Sequence, residues 1–120
     1  MLGYFWVFLG GGLGSICRFA IAQVFSSSSS LFPWATFVAN AISCIILGIL
    51  IGIQLKNPML PSWRLLLSTG FCGGFSTFST FSSESLLLFQ EGQVEIAFWN
   101  IAASIIMGLI CVYIGLKLAV

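Results

Sequence analysis

Four long apolar stretches, separated by short polar segments, make up almost the whole chain. They cover residues 2–25, 32–55, 64–90 and 94–118. Each is close to the roughly 20 residues that an α-helix needs to cross the hydrocarbon core of a bilayer. The pattern therefore predicts an all-α membrane protein, folded as a single domain of four transmembrane helices over residues 1–120.

The third stretch differs from the others because glycines and hydroxyl residues interrupt its apolar sequence. Residues 69–84 read TGFCGGFSTFSTFSSE. Gly70, Gly73 and Gly74 each weaken a helix by about 1 kcal/mol relative to alanine. Backbone that leaves the helix at membrane depth is tolerated only where it is buried in protein or lines a wet cavity. We therefore predict a break in the third helix, over residues 73–76, facing a path for ions or water.

Two aromatic residues follow the predicted break at helical spacing. Phe78 and Phe81 are three residues apart, so they lie on one face of a helix. Ser79 and Thr80 then turn to adjacent sides of the same helix. Aromatic edges and hydroxyl groups are expected to share one surface there.

The first stretch combines small residues with a charge. Gly10 and Gly14 form a GxxxG pair, which predicts close approach of another helix. Arg18 lies farther along the same stretch. A cation at the centre of a span costs about 2.5–3.5 kcal/mol, and less when its side chain snorkels outward. Two interpretations follow: Arg18 is a snorkelling or structural anchor, or it contacts an ion directly.

Polar residues in the second and fourth stretches also have two interpretations. Asn40 either bonds a neighbouring helix or points its amide N–H group into a pore. Ser104 and Gly108 are four residues apart, a spacing typical of close helix packing.

Composition narrows the functional classes. The chain is 59% hydrophobic and 6% charged, and it contains no His and no Asp. The usual acid–base and metal-ligand side chains are therefore scarce, and we predict that the protein is not an enzyme. A net charge of +1 without a basic patch predicts no nucleic-acid partner. The expected surroundings are a lipid bilayer.

The few basic residues give a small orientation bias. Lys56, Arg64 and Lys117 lie on the side of the two termini, and Arg18 leans toward the other side. By the positive-inside rule this count mildly favours cytoplasmic termini.

With these residues in place, the sequence resembles the small four-span fluoride channels of the Fluc or CrcB family over nearly its whole length. Residues 11–19, GGLGSICRF, are similar to the family's glycine-rich first helix with its arginine. Residues 36–48, TFVANAISCIILG, resemble its threonine and asparagine motif, and residues 70–84 its third-helix signature. Ser43 stands where a glycine is usual, and Ser76 where threonine is usual.

The resemblance implies a fluoride-selective ion channel that lets fluoride leave the cytoplasm passively and so lowers its toxicity. It also implies two subunits inserted in opposite orientations. A homodimer of one dual-topology chain is favoured, and a pair of related chains is the alternative. The expected location is the plasma membrane of a prokaryotic cell.

The resemblance further implies roles for individual residues. It predicts a fluoride pore lined by Asn40, Phe78, Ser79, Thr80, Phe81 and Ser104. It also implies a structural Na⁺ at the dimer centre, held by backbone carbonyls of Gly73 and Ser76 and of the same residues in the partner. Arg18 is expected near the aqueous entrance.

Two other classes compete with this interpretation. A small multidrug-type, proton-coupled exporter is also a four-span antiparallel dimer, but it needs a carboxylate in its first helix. Residues 2–25 contain no Asp or Glu. A non-transporting membrane assembly protein explains the glycine pairs but not the polar and aromatic spacing of residues 76–81.

Overall fold

The computed structural model describes all residues, Met1–Val120, and every regular element in it is helical. Three helices are long and apolar enough to cross a membrane. The elements in chain order are α1 (Leu2–Val24), α2 (Trp34–Lys56), α3 (Pro61–Arg64), a π-helical segment (Leu65–Cys72), α4 (Gly73–Phe75), α5 (Phe78–Gln90) and α6 (Val94–Ala119). The all-α prediction is confirmed.

The third apolar stretch consists of two helical pieces. Helix α3, the π-helical segment and α4 follow one another without a gap and form one helical run, residues 61–75. Ser76 (φ −84°, ψ 154°) and Thr77 (φ −149°, ψ 121°) then have extended backbone, and α5 begins at Phe78. Pro61 starts the run at a position where its missing N–H group costs nothing.

The glycines of this stretch do not lie where the backbone leaves the helix. Gly70 belongs to the π-helical segment, and Gly73 and Gly74 belong to α4. Of the predicted break over residues 73–76, Gly73–Phe75 are therefore helical, and extended backbone begins only at Ser76. Gly70 and Gly74 instead permit close contact with α1, where an added Cβ would meet backbone atoms of Val7, Gly10 or Gly11.

Glycine contacts set the packing of α1 on the 61–75 run. Gly10 and Gly14 are buried in this interface. An added Cβ at Gly10 would press on the Leu66 carbonyl, and one at Gly14 on the Phe71 carbonyl. The prediction that this GxxxG pair admits a second helix is confirmed.

Helices α2 and α6 also pack closely through glycines, at Gly48 and Gly115. An added Cβ at Gly48 would press on the Val112 carbonyl, and one at Gly115 on the Ile45 carbonyl. The spacing of Ser104 and Gly108 predicted close packing there, but a Cβ at Gly108 would only touch Cys44 Sγ at 3.8 Å. The tight contact lies nearer the end of α6, and the Ser104 region remains open.

Most of the apolar surface faces outward. Only 15 of the 120 residues are buried, so large apolar side chains cover the exterior. In water such a surface would drive aggregation, whereas in a bilayer it is solvated by lipid. With the three long apolar helices, this surface identifies an integral membrane protein.

Candidate functional site

The two extended residues after α4 are held in place by α2. The backbone N–H of Thr77 donates to Asn40 Oδ1 at 2.9 Å. Thr77 also caps α5, because its Oγ1 accepts from the N–H of Thr80 at 3.2 Å. A threonine or serine at such a position satisfies one of the free amide groups at the start of a helix.

The carbonyl of Cys72, four residues before Ser76, accepts three hydrogen bonds. It accepts from the Ser76 N–H at 3.0 Å and from the Ser76 hydroxyl at 2.8 Å. It also accepts from Ser43 Oγ at 3.1 Å. Asn40 and Ser43 are three residues apart on α2, so one helix face bonds both sides of the interruption.

These bonds leave two backbone carbonyls without their helical partners. In an α-helix the carbonyl of residue i accepts from the N–H of residue i+4. The N–H of Thr77 is donated to Asn40, and the N–H of Thr80 is donated to Thr77 Oγ1. The carbonyls of Gly73 and Ser76 therefore lack the N–H donors that a continued helix would supply to them. Free carbonyl oxygens suit a hard cation.

A pocket of about 280 Å³, which we call the Asn40 pocket, lies beside the interruption. Its walls come from α2, residues 76–81 and α6. They are formed by Asn40, Cys44, Ser76, Thr77, Phe78, Phe81, Ser104, Ile105, Met107 and Gly108. Four of the six residues predicted to line a pore, namely Asn40, Phe78, Phe81 and Ser104, thus lie around one cavity.

The aromatic pair of this pocket has a defined arrangement. The ring centroids of Phe78 and Phe81 are 5.8 Å apart and the rings are tilted by 43°. Phe78 is 79% exposed in the single chain, whereas Phe81 is half-buried. Ring edges carry partial positive charge, so a ring edge turned toward the cavity would offer it electropositive hydrogens.

The hydrogen bonding of Asn40 determines which end of its amide is available. Its oxygen accepts from Thr77, since a backbone N–H can only donate. The amide nitrogen has no protein acceptor, and Asn40 lines the pocket. Asn40 thus bonds a neighbouring segment and also keeps two N–H donors, so the two interpretations of this residue are compatible.

The remaining predicted residues lie elsewhere. Thr80 and Arg18 line a second pocket of about 290 Å³, the Arg18 pocket, whose other walls are Ser15, Phe19, Ala22, Ala35 and Thr36. Arg18 Nε donates to the Gly74 carbonyl at 3.1 Å. Ser79 is exposed, shares a hydrogen bond with Thr77 Oγ1 at 3.1 Å and lines neither pocket. Arg18 therefore anchors α1 to the end of α4.

One polar contact in this region was missed by the sequence analysis. The hydroxyl of Thr36 donates to Glu84 Oε1, joining α2 to α5, and Thr36 also lines the Arg18 pocket. The sequence offered one indication of this contact, namely Glu84 itself, because an acidic residue inside an apolar stretch is by default a candidate functional residue. Every buried side-chain nitrogen and oxygen has a partner.

Comparison with known proteins identifies relatives over nearly the full chain. Residues 5–116 match the family of CrcB-like proteins, described as Camphor Resistance (CrcB). A Flavobacterium psychrophilum protein named fluoride-specific ion channel FluC is 40% identical, covering 96% of this chain and 94% of its own length. Proteins of the same name from Oceanobacillus iheyensis (46% identical; 94% and 88% covered) and Pyrococcus horikoshii (40%; 92% and 90%) are similar.

Proposed function

This chain belongs to the CrcB family, and from that premise we propose that it is a fluoride-selective ion channel through which fluoride leaves the cytoplasm passively. The observation that carries the proposal is the Asn40 pocket, in which an amide donor and two tilted phenyl rings surround one cavity. Proteins up to 46% identical over most of this chain bear the name fluoride-specific ion channel. The activity is transport and involves no covalent chemistry.

The chemistry of the pocket suits a small, strongly hydrated anion. A pore must replace the water around fluoride with hydrogen-bond donors and must hold the ion weakly enough to release it. The free N–H groups of Asn40 supply donors, and the edges of Phe78 and Phe81 supply weak positive charge. No lysine or arginine lines this pocket, so no strong ion pair holds the anion there.

The Arg18 pocket is proposed as the approach to this site. Arg18 adds positive charge to a cavity that also holds the hydroxyl of Thr80. A cation in a recess surrounded by apolar protein raises the local anion concentration. Because its Nε is bonded to Gly74, the guanidinium group is fixed while its other N–H groups remain available.

Fluoride release from liposomes tests the proposed function directly. Purified chain, reconstituted alone, is expected to release trapped fluoride rapidly and to leave chloride inside, as read with ion-selective electrodes. Release would also show that one kind of chain suffices. If well-folded protein releases neither ion, both alone and with a related chain, the channel proposal is wrong.

Asn40 provides a test of the donor role. Asn40→Ala removes both the amide donors and the acceptor of the Thr77 N–H, and flux is expected to fall by about 100-fold, the effect of removing one preorganised donor in a buried site. Asn40→Asp keeps the acceptor but replaces the donors with a carboxylate, and it should also conduct poorly. Wild-type flux in the folded Asn40→Asp protein would contradict the donor role.

We also propose that the functional unit is an antiparallel dimer of two copies of this chain in the plasma membrane. One chain leaves Phe78 79% exposed, and Gly73 faces open space, since an added Cβ there has no neighbour within 4 Å. A second copy related by a twofold axis in the membrane plane would enclose these positions. The two orientations match the small charge bias of the loops.

A structural Na⁺ is proposed at the centre of that dimer. The carbonyls of Gly73 and Ser76 lack their helical donors, and backbone carbonyls at an interruption of a membrane helix are suitable Na⁺ ligands. When bound, the ion would supply fixed positive charge and would link the subunits. Mates of the same two residues would complete its ligands.

Orientation and ion dependence test these two proposals. A protease site added after Val120 should be cleaved in one half of the chains and protected in the other half in sealed vesicles. Replacing Na⁺ with N-methyl-D-glucamine at constant ionic strength should lower dimer stability on size-exclusion chromatography. Uniform cleavage would overturn the antiparallel arrangement, and a dimer equally stable in both salts would overturn the Na⁺ proposal.

A further inference from the structure

A hydrogen-bond chain connects two of the residues that line the Asn40 pocket. Its central residue is Asn100 on α6, which is only 1% exposed and has the largest fully buried side chain in the protein. Asn100 Nδ2 donates to Ser85 Oγ at 2.9 Å. Ser104 Oγ donates to Asn100 Oδ1 at 3.3 Å. Both ends of one amide are therefore engaged by side chains at different places in the fold.

The chain reaches the aromatic wall through α5. Ser85 is 5% exposed, and its hydroxyl donates to the Phe81 carbonyl at 2.8 Å. This hydroxyl thus accepts from Asn100 and donates to Phe81, which are the two bonds it needs when buried. The backbone of Phe81 is thereby linked to α6 through the Ser85 side chain.

The other end determines how Ser104 faces the cavity. A hydroxyl has one proton, and the proton of Ser104 is directed at Asn100 Oδ1. In this arrangement its oxygen presents lone pairs to the pocket, which an anion avoids. Ser104 can donate to an anion only when it releases Asn100, so Asn100 sets the orientation of this hydroxyl.

We propose that Asn100 is a positioning residue of the pore, holding Phe81 through Ser85 and orienting the hydroxyl of Ser104. The inference rests on the proposed channel function. A purely packing role for Asn100 does not account for the chain, because both residues it links, Phe81 and Ser104, line the same cavity. An asparagine that only joined two membrane helices would not need to bond, directly or through Ser85, to two residues that line a cavity.

A double-mutant cycle tests the proposal, with fluoride flux measured per folded protein in liposomes. Ser85→Ala cuts the chain on the aromatic side and is expected to lower flux about fivefold, the effect of one lost hydrogen bond. Because Asn100 is then free to turn, adding Ser104→Ala should change flux little further. The single variant Ser104→Ala completes the cycle. If the fold-changes of Ser85→Ala and Ser104→Ala multiply in the double variant, the two residues act independently and the proposal is overturned.

Two further variants separate positioning from general damage. Ser85→Thr retains the hydroxyl and is expected to restore flux; a folded Ser85→Thr protein that conducts as poorly as Ser85→Ala would count against the proposal. Ser83→Ala is the matched control, since Ser83 also bonds a carbonyl of α5, that of Thr80 at 3.0 Å, but does not touch Asn100. The flux of Ser83→Ala should equal that of the wild type. If Ser83→Ala lost as much flux as Ser85→Ala, the role assigned to Asn100 would be overturned.

The cycle remains informative if a variant folds poorly. Should Ser85→Ala not give folded protein, Ser85→Cys takes its place, because a thiol is close in size and a weak hydrogen-bond partner. Wild-type flux is measured in parallel. An inactive wild type would refute the channel function itself, whereas an active wild type with independent mutant effects would refute only the role of Asn100.

Discussion

Phe81→Ile is expected to lower fluoride flux by about 100-fold, because it removes a preorganised positive ring edge from the pocket and leaves apolar surface there. Phe78→Ile should act in the same direction. Both substitutions keep an apolar side chain, so folding in the membrane should be little affected. The measurement is initial fluoride efflux from liposomes, with size-exclusion chromatography to establish that the protein is folded.

Phe8→Ile is a suitable control for the aromatic prediction. Phe8 is 78% exposed on α1, far along the sequence from the pocket and outside its walls. Loss of a phenyl ring there should leave efflux at the wild-type rate. If both folded pocket variants conducted normally, the role of the ring edges would be refuted, whatever the control showed.

The second large effect concerns stability. Gly10→Ala would place a Cβ against the Leu66 carbonyl, and backbone atoms cannot move aside as a flexible side chain can. Overpacking of this kind costs about 3 kcal/mol, the upper end of the usual range. We expect loss of folded protein on detergent extraction and a lower midpoint of thermal unfolding.

The same run of glycines provides the comparison. A Cβ at Gly12 would have no neighbour within 4 Å, although Gly12 lies in the same helix two residues away. Gly12→Ala should fold as the wild type does, or slightly better because alanine favours helix. Equal stability of the Gly10 and Gly12 variants would mean that α1 does not pack on the 61–75 run as described.

The class of fold could be predicted because it depends on composition and on the length of apolar stretches. Few charges and long apolar segments allow little besides membrane helices. The Gly10 and Gly14 contact was also predictable, since small residues four apart lie on one face. Phe78 and Phe81 lie together for the same local reason.

Features that depend on distant residues were not predictable. The extended backbone begins at Ser76 and not at the glycines, because Asn40, 37 residues earlier than Thr77, supplies the bond that stabilises Thr77 in extended form. Helix propensity records the cost of a glycine but not the presence of that partner. The separation of Thr80 from the Asn40 pocket, and the bond between Thr36 and Glu84, also require the packed helices.

The interruption at Ser76 and Thr77 has an electrostatic consequence. The aligned peptide dipoles of a helix leave about half a negative charge at its C-terminus and half a positive charge at its N-terminus. The 61–75 run ends and α5 begins within three residues, so opposite partial charges face each other across two extended residues. A cation at the carbonyl side and an anion at the amide side are thus both favoured within one span, and Arg18, which donates to the Gly74 carbonyl, already places one positive charge at the carbonyl side.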